Sequence, residues 1–226
     1  MSSGSAFQRA YSAEHKAQRA SDLADAARTL AARDGVRAVT LTSIAQHAGV
    51  HASAVRRYYS SREEILLTLA QEGIEDWAED AVSRLARYER LSAADIAHAL
   101  VAGLRKRPLF CDLLTHVTLS LEHESSYECV RAFKVSASHA INSVSDTLTA
   151  RSALDRTTAE ELVMAVLALA AQLWQAGHPS QNTLRLYREE PQLAHVAIDF
   201  EYTFPRLATA LVDGLAAGRH AQADVE

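Results

Sequence analysis

The chain is short of the residues that build loops and staples, with 8 glycines, 4 prolines and 2 cysteines in 226 residues. So few backbone breakers exclude a collagen-like or loop-rich chain and leave long helices as the expectation. Cys111 and Cys129 form no CxxC pair and are too few for a disulfide framework. The opening stretch MSSGSAFQRAYS lacks the apolar core of a secretory signal. A reduced, disulfide-free, cytoplasmic protein is therefore expected. Long apolar runs are missing too: the longest, Leu162 to Leu173, falls short of the ~20 residues that cross a bilayer, so no membrane partner is expected. What is present suffices for folding, because 48% hydrophobic against 23% charged residues excludes wholesale disorder.

Signatures of catalysis are missing as well. There is no GxSxG elbow, no GxGxxG fingerprint, no GxxxxGK[ST] loop and no HExxH pair; His123-Glu124 lacks its second histidine. Cys111, His116, His123 and Cys129 carry the right ligand atoms for zinc, but their spacing suits no single helix face. The expectation is a protein that is not an enzyme and has no cofactor and no metal.

Net charge is −5, yet residues 1–65 hold nine basic against six acidic side chains while the remainder carries −8. Location matters more than the sum, and a basic unit on an acidic body is a first hint of a polyanionic partner. Twenty of the 23 basic residues are arginine, whose planar fork grips phosphates and base edges.

Apolar spacing describes an all-α chain. Residues 1–15 are Ser-rich and aperiodic, which predicts a flexible arm. Ala20, Leu23, Ala24, Ala27, Leu30 and Ala31 share one helical stripe, and Gly35 stands where a left-handed cap would end it. Thr40 N-caps a two-turn helix with Leu41, Ile44, Ala45 and Ala48 on one face. Gly49 breaks it before a second short helix, Ala52 to Tyr59, with Val55 and Tyr59 inward, which is the pattern of a helix-turn-helix. Ser61 with Glu64 then opens a long helix through Leu66, Leu69, Ile74 and Trp77 despite Gly73, and further helices follow to about Ala217. The stretch 178–199, with Pro179 and Pro191, reads as the longest irregular segment. The expected units are the arm (1–15), a helix-turn-helix domain (16–62), a helical bundle (63–218) and a flexible tail (219–226).

Residues 26–67, AARTLAARDGVRAVTLTSIAQHAGVHASAVRRYYSSREEILL, resemble the DNA-binding domain of TetR-family transcriptional regulators. The matching features are an apolar helix ending in Gly, a Thr-initiated helix with Ile-Ala, an Ala-Gly-Val turn, and a tyrosine pair followed by Ser-basic-Glu. The resemblance implies an N-terminal three-helix reader and a C-terminal bundle for dimerisation and ligand sensing. It implies a repressor released from a palindromic double-stranded operator by a small-molecule effector. It also implies DNA contacts by Thr42, Ser43, Ala52, Ser53, Arg56, Arg57, Tyr58 and Arg62. Arg57 is the expected base contact; Arg56 replaces a common aromatic at a phosphate position, and Arg62 stands where the family usually has lysine. Each has a plainer reading: outside this motif an arginine pair is more often a solvated face, Tyr58 packs on the first helix, and Thr42 and Ser43 serve as local caps. His51 departs from the small polar N-cap expected before the second short helix.

Two expectations concern the bundle. The run from Thr158 to Gln175 is apolar nearly all round and calls for a second partner, so a homodimer through this helix and the last one is expected, with Leu162, Val166, Leu169, Leu173, Leu207 and Leu211 at the interface. Polar groups on otherwise apolar helices predict an effector cavity, with Phe110, His116, Tyr127, Phe133 and Trp174 as walls.

Overall fold

Side-chain caps, rather than glycine and proline, set most helix starts in the computed structural model, which describes the backbone of residues 3–223 and the side chains of 15–194 and 197–216. The elements are α1 (Ser3–Asp34), α2 (Leu41–His47), α3 (Ala52–Val55), α4 (Arg62–Leu85), α5 (Ala93–Arg105), α6 (Pro108–His116), α7 (Tyr127–Arg151), α8 (Arg156–Gly177), α9 (Gln181–Glu189) and α10 (Phe200–Ala223). Short 3-10 turns lie at Val36–Ala38 and Pro191–Val196, and α6 runs on through a π-helical stretch, Val117–Leu121. No strand occurs among the described residues, as the spacing predicts. Thr40, Ser61, Ser92, Ser126, Asp155 and Ser180 each accept an amide hydrogen that the following first turn leaves unpaired.

Three stretches differ from expectation. The chain is already helical at Ser3, so residues 3–15 extend α1 instead of forming an arm. They lack an apolar stripe and are Ser-rich, but they hold three alanines and no proline, and elongating an existing helix avoids the nucleation cost. The segment 178–199 contains α9, because Pro179 and Pro191 bracket a helix capped by Ser180 instead of breaking one. The last helix reaches Ala223, through most of the expected tail; Met1, Ser2 and 224–226 lie outside the described residues.

Two cores share the load. One, the reader core, gathers Leu23, Ala27 and Leu30 of α1, Ile44 of α2, Val55 of α3 and Ile65, Leu66 and Leu69 of α4, and it is completed from below by Leu113, Val117, Leu121 and Phe133. The other, the body core, packs Trp77 and Leu85 against Leu100, Leu104, Val144, Leu148, Leu162, Val166 and Phe204. Trp77 is fully enclosed and its indole N–H donates to the Leu100 carbonyl at 3.2 Å. Gly73 is explained here: a Cβ at that position would lie 2.5 Å from Cδ2 of Phe110, so the ring seats directly on the α4 backbone. Helix α8 is the one described helix long and apolar enough to cross a membrane, and its Leu162, Val163, Val166, Leu167 and Ala170 are buried in the bundle.

Candidate nucleic-acid interface

Helix α2 is fixed by a reciprocal cap. Thr40 Oγ1 accepts from Ser43 N at 3.0 Å, and Ser43 Oγ accepts from Thr40 N at 2.9 Å. Ile44 and Ala45 face the core, leaving Thr42 and Gln46 exposed and Ser43 half-buried. Gly49, at φ 66°, makes the turn, and Val50 N reaches back to Ala45 O at 2.9 Å. His51 supplies the next cap, since its Nδ1 accepts from Ser53 N at 3.4 Å and lies 3.0 Å from Ser53 Oγ. The imidazole thus replaces the small polar side chain expected there.

Helix α3 is one turn long, and hydrogen-bonded turns carry it on, with Arg57 N donating to Ala54 O and Tyr58 N to Val55 O. A turn this short holds its shape only through tertiary packing, here the complete burial of Val55 and the Tyr59 hydroxyl donating to Ala20 O at 3.2 Å. With Val55 inward, Ala52, Ser53, Arg56 and Arg57 are exposed together. Among the described residues no carboxylate pairs with either arginine. Two small residues and two unpaired guanidinium groups on one protruding turn suit close approach to a polyanion.

Tyr58 and Arg62 lie apart from this group. The Tyr58 ring is half-buried beside Leu23, Ala48, Val50 and Ala54. Arg62 turns inward: Nη2 donates to Val36 O at 2.9 Å and Nη1 pairs with Glu63 at 3.0 Å, leaving the side chain 27% exposed. A phosphate contact at Arg62 requires the guanidinium to leave both partners.

Two carboxylates that spacing does not single out tie the reader to the body. Glu64, recognised in the sequence only as part of a cap, accepts from Ser60 N at 2.8 Å and from Ser126 N, at the start of α7, at 3.1 Å. Burial pushes its carboxyl up, but donation from Ser126 and Ser60 outweighs burial and holds it below the ordinary value. Asp112 of α6 accepts from Val36 N at 2.9 Å and from the Gln175 amide of α8 at 2.7 Å. His116, one turn on, keeps Nε2 without a hydrogen bond at 3.8 Å from Asp112; burial pushes its imidazole below the ordinary value, against the pull of Asp112.

The expected effector residues do not converge. Phe110 and Phe133 are buried in different cores, and His116 lies under the reader. Tyr127 is 75% exposed, and Trp174 stacks on His178 and meets Phe200 edge-on. Aromatic side chains serve core and cavity alike, so residue type does not separate the two roles. A groove of about 650 Å³ lies instead between helices α4 and α7, floored by Ala78, Val82, Ala132, Val135 and Ala140 and edged by Glu75, Glu79, Arg131 and His139. The dimer set divides similarly. Leu162 and Val166 are wholly buried within their own chain, which removes them from any interface, whereas Leu169, Leu173, Leu207 and Leu211 are half-buried. The open face of α8 is instead Met164, 60% exposed, with Ala168 and Gln172. Among the described residues no three His, Cys, Asp or Glu side chains gather to hold a metal, and burial pushes the Cys111 thiol up to about 12.

Comparison with known proteins agrees with this layout. The model for bacterial regulatory proteins of the tetR family matches residues 23–69, and that for the tetracyclin repressor-like C-terminal domain matches 71–219. Similar solved structures include the multidrug binding protein EbrR complexed with imidazole, at 19% identity and TM-score 0.54 over 85% of this chain and 94% of that one. They also include Thermus thermophilus FadR, a TetR-family transcriptional repressor in complex with lauroyl-CoA, at 16% identity and TM-score 0.56 over 87% and 92%. The regulator FadR from Bacillus subtilis in complex with stearoyl-CoA aligns at 17% identity and TM-score 0.52 over 87% and 97%. Likeness at this identity speaks for the fold alone. No curated protein matches the chain.

Proposed function

The chain belongs to the TetR family of transcriptional regulators, and from that premise we propose that it is a homodimeric repressor, released from a palindromic operator by a small amphipathic effector. The observation that carries the DNA-binding surface is the exposed turn bearing Ala52, Ser53, Arg56 and Arg57 beyond the capped start of α2. In a helix-turn-helix this is the part that enters the major groove, with the small residues admitting the backbone and Arg57 reading a base edge. Arg56, Thr42, Ser43 and the Tyr58 hydroxyl take phosphate, and Arg62 is assigned to the reader's own frame. Residues 16–62 act as the reading unit and 63–218 as the dimerising, sensing body.

The open face of α8, with Met164 and Ala168, and the half-buried Leu169, Leu173, Leu207 and Leu211 support a dyad through α8 and α10. The groove between α4 and α7 supports the effector's class: an apolar floor for a chain or ring system and charged edges for a polar head. The fatty acyl-CoA esters held by two of the similar structures have that character. Effector and DNA then oppose each other through the pose of α4, which runs from the reader into the groove.

The test is selection of a duplex from a random library by the full-length protein, followed by titration with lauroyl-CoA and with a cationic drug. A selected palindrome, affinity that falls steeply with salt, and release by one of these molecules are expected. A protein that selects no sequence contradicts the proposal.

A further inference from the structure

The Val36 main chain is held on both sides: its N–H donates to Asp112 of the body at 2.9 Å, and its carbonyl accepts at 2.9 Å from Arg62, the first residue of α4. Asp112 is itself braced by Gln175, so the main chain of one reader residue is tied directly to α4 and α6 and, through Asp112, to α8. We propose that this clamp fixes the angle of the reader on the body, making Asp112 and Gln175 positioning residues that set which spacing of operator half-sites the dimer accepts.

The geometry gives the reason. Helix α4 joins reader to body, and the reader also rests on Leu113, Val117, Leu121 and Phe133 through apolar contacts, which are non-directional and leave its angle to be set by hydrogen bonds. The Glu64 contacts to Ser60 N and Ser126 N fix the junction at the first turn of α4. Val36 supplies a second point, between α1 and α2, just before the Thr40 cap that starts the recognition unit. An anchor there opposes rotation of the reader about the first. The bonds are of a kind that lasts in water, because the carboxylate is mostly buried, at 17% exposed, and accepts charge-assisted hydrogen bonds from a main-chain amide and a side-chain amide. His116 fills the space behind Asp112 without donating to it, so Val36 and Gln175 hold the carboxylate without competition from the imidazole.

The inference rests on the DNA-binding reading above. Two readers on a rigid dimer meet two major grooves only at one separation, and adding or removing two base pairs turns one half-site by about 70° relative to the other. The experiment uses the palindrome selected by the unmutated full-length protein, remade with the spacer two base pairs longer and shorter, and measures affinity for each with the unmutated protein, Asp112→Ala, Asp112→Asn and Gln175→Leu. The unmutated dimer is expected to favour its own spacing by about tenfold or more, as for loss of one charged hydrogen bond. Asp112→Ala and Gln175→Leu should flatten that preference to about threefold or less while leaving base preference within a half-site unchanged. Asp112→Asn should restore it, because the asparagine oxygen still accepts from Val36 N once the Gln175 amide turns over. Reduced stability alone would lower affinity for every spacer equally. Unchanged spacing preference in Asp112→Ala overturns the proposal, and if that variant does not fold, the same result in Gln175→Leu does so. Hydrogen exchange at the Val36 amide, read without DNA, separates the two levels. Should the unmutated protein select no duplex, the regulatory reading fails, while unaccelerated Val36 exchange in Gln175→Leu and Asp112→Ala would still refute the clamp.

Discussion

In the reader, a seven-residue α2 and a one-turn α3 depend on neighbouring helices for their shape, so the apolar side chains from Leu23 to Val55 are committed to packing around them. The side chains left over, Ala52, Ser53, Arg56 and Arg57, are few and face one way. In the body, α4, α7 and α8 are long, and each has apolar surface beyond what its own core needs. Val135 lies open in the groove and Met164 and Leu119 lie open on and beside α8. Where the framework uses nearly every apolar residue, the remainder identifies the working surface. Where apolar surface is in surplus, core, groove and subunit contact share one chemistry, and residue type alone does not assign them.

Substitutions sharpen that contrast. The largest effect is expected in the body, where Trp77→Ala removes a fully enclosed indole and its hydrogen bond to Leu100; denaturant unfolding should show a loss of ~3–5 kcal/mol. A loss below ~1 kcal/mol would mean that the body core is far looser than its burial implies. Next comes Gly73→Ala, whose new Cβ meets Cγ and Cβ of Phe110 as well as the ring edge, so the phenylalanine cannot simply rotate away. Overpacking of this kind costs ~1–3 kcal/mol and should exceed the helix-propensity gain of alanine. If Gly73→Ala instead stabilises the protein, the close seat of Phe110 on α4 is wrong.

A smaller effect is expected at the joint between the two regions. Glu64 has a depressed carboxyl pKa in the folded protein, so its contribution to stability is complete above the unfolded value near 4.3 and is lost as pH falls through the folded one. Acid unfolding of Glu64→Gln should therefore show a shallower fall in stability below that value than the unmutated protein. Identical acid profiles would break the link from Glu64 to Ser60 and Ser126.

Legibility in the sequence follows the same division. The helix-turn-helix can be read because its constraints are local: Thr40 caps within three residues, Gly49 must turn, and Val55 must point inward for the turn to hold. Arg62 escapes such reading, because position along the motif does not reveal a carbonyl 26 residues away that captures the guanidinium. Asp112 and Gln175 give no signal, being ordinary helix-surface residues until tertiary structure brings Val36 to the carboxylate they share. Leu162 and Val166 read as partner contacts because an all-apolar helix does not state which of its faces its own chain covers. The groove stays hidden for a related reason: alanines, serines and one exposed valine make a concavity by being small, and smallness has no periodic signature.

The central claim, that the turn after α3 reads base sequence, is tested most directly by Arg57→Ala. Affinity for the selected duplex and for single-base variants of it should be measured across a range of salt, beside folding stability. The account predicts a loss of ~1–3 kcal/mol in binding, relaxed preference at one position of each half-site, and unfolding free energy unchanged within ~0.5 kcal/mol. An Arg57→Ala protein with undiminished affinity and the same preference at every position would contradict it.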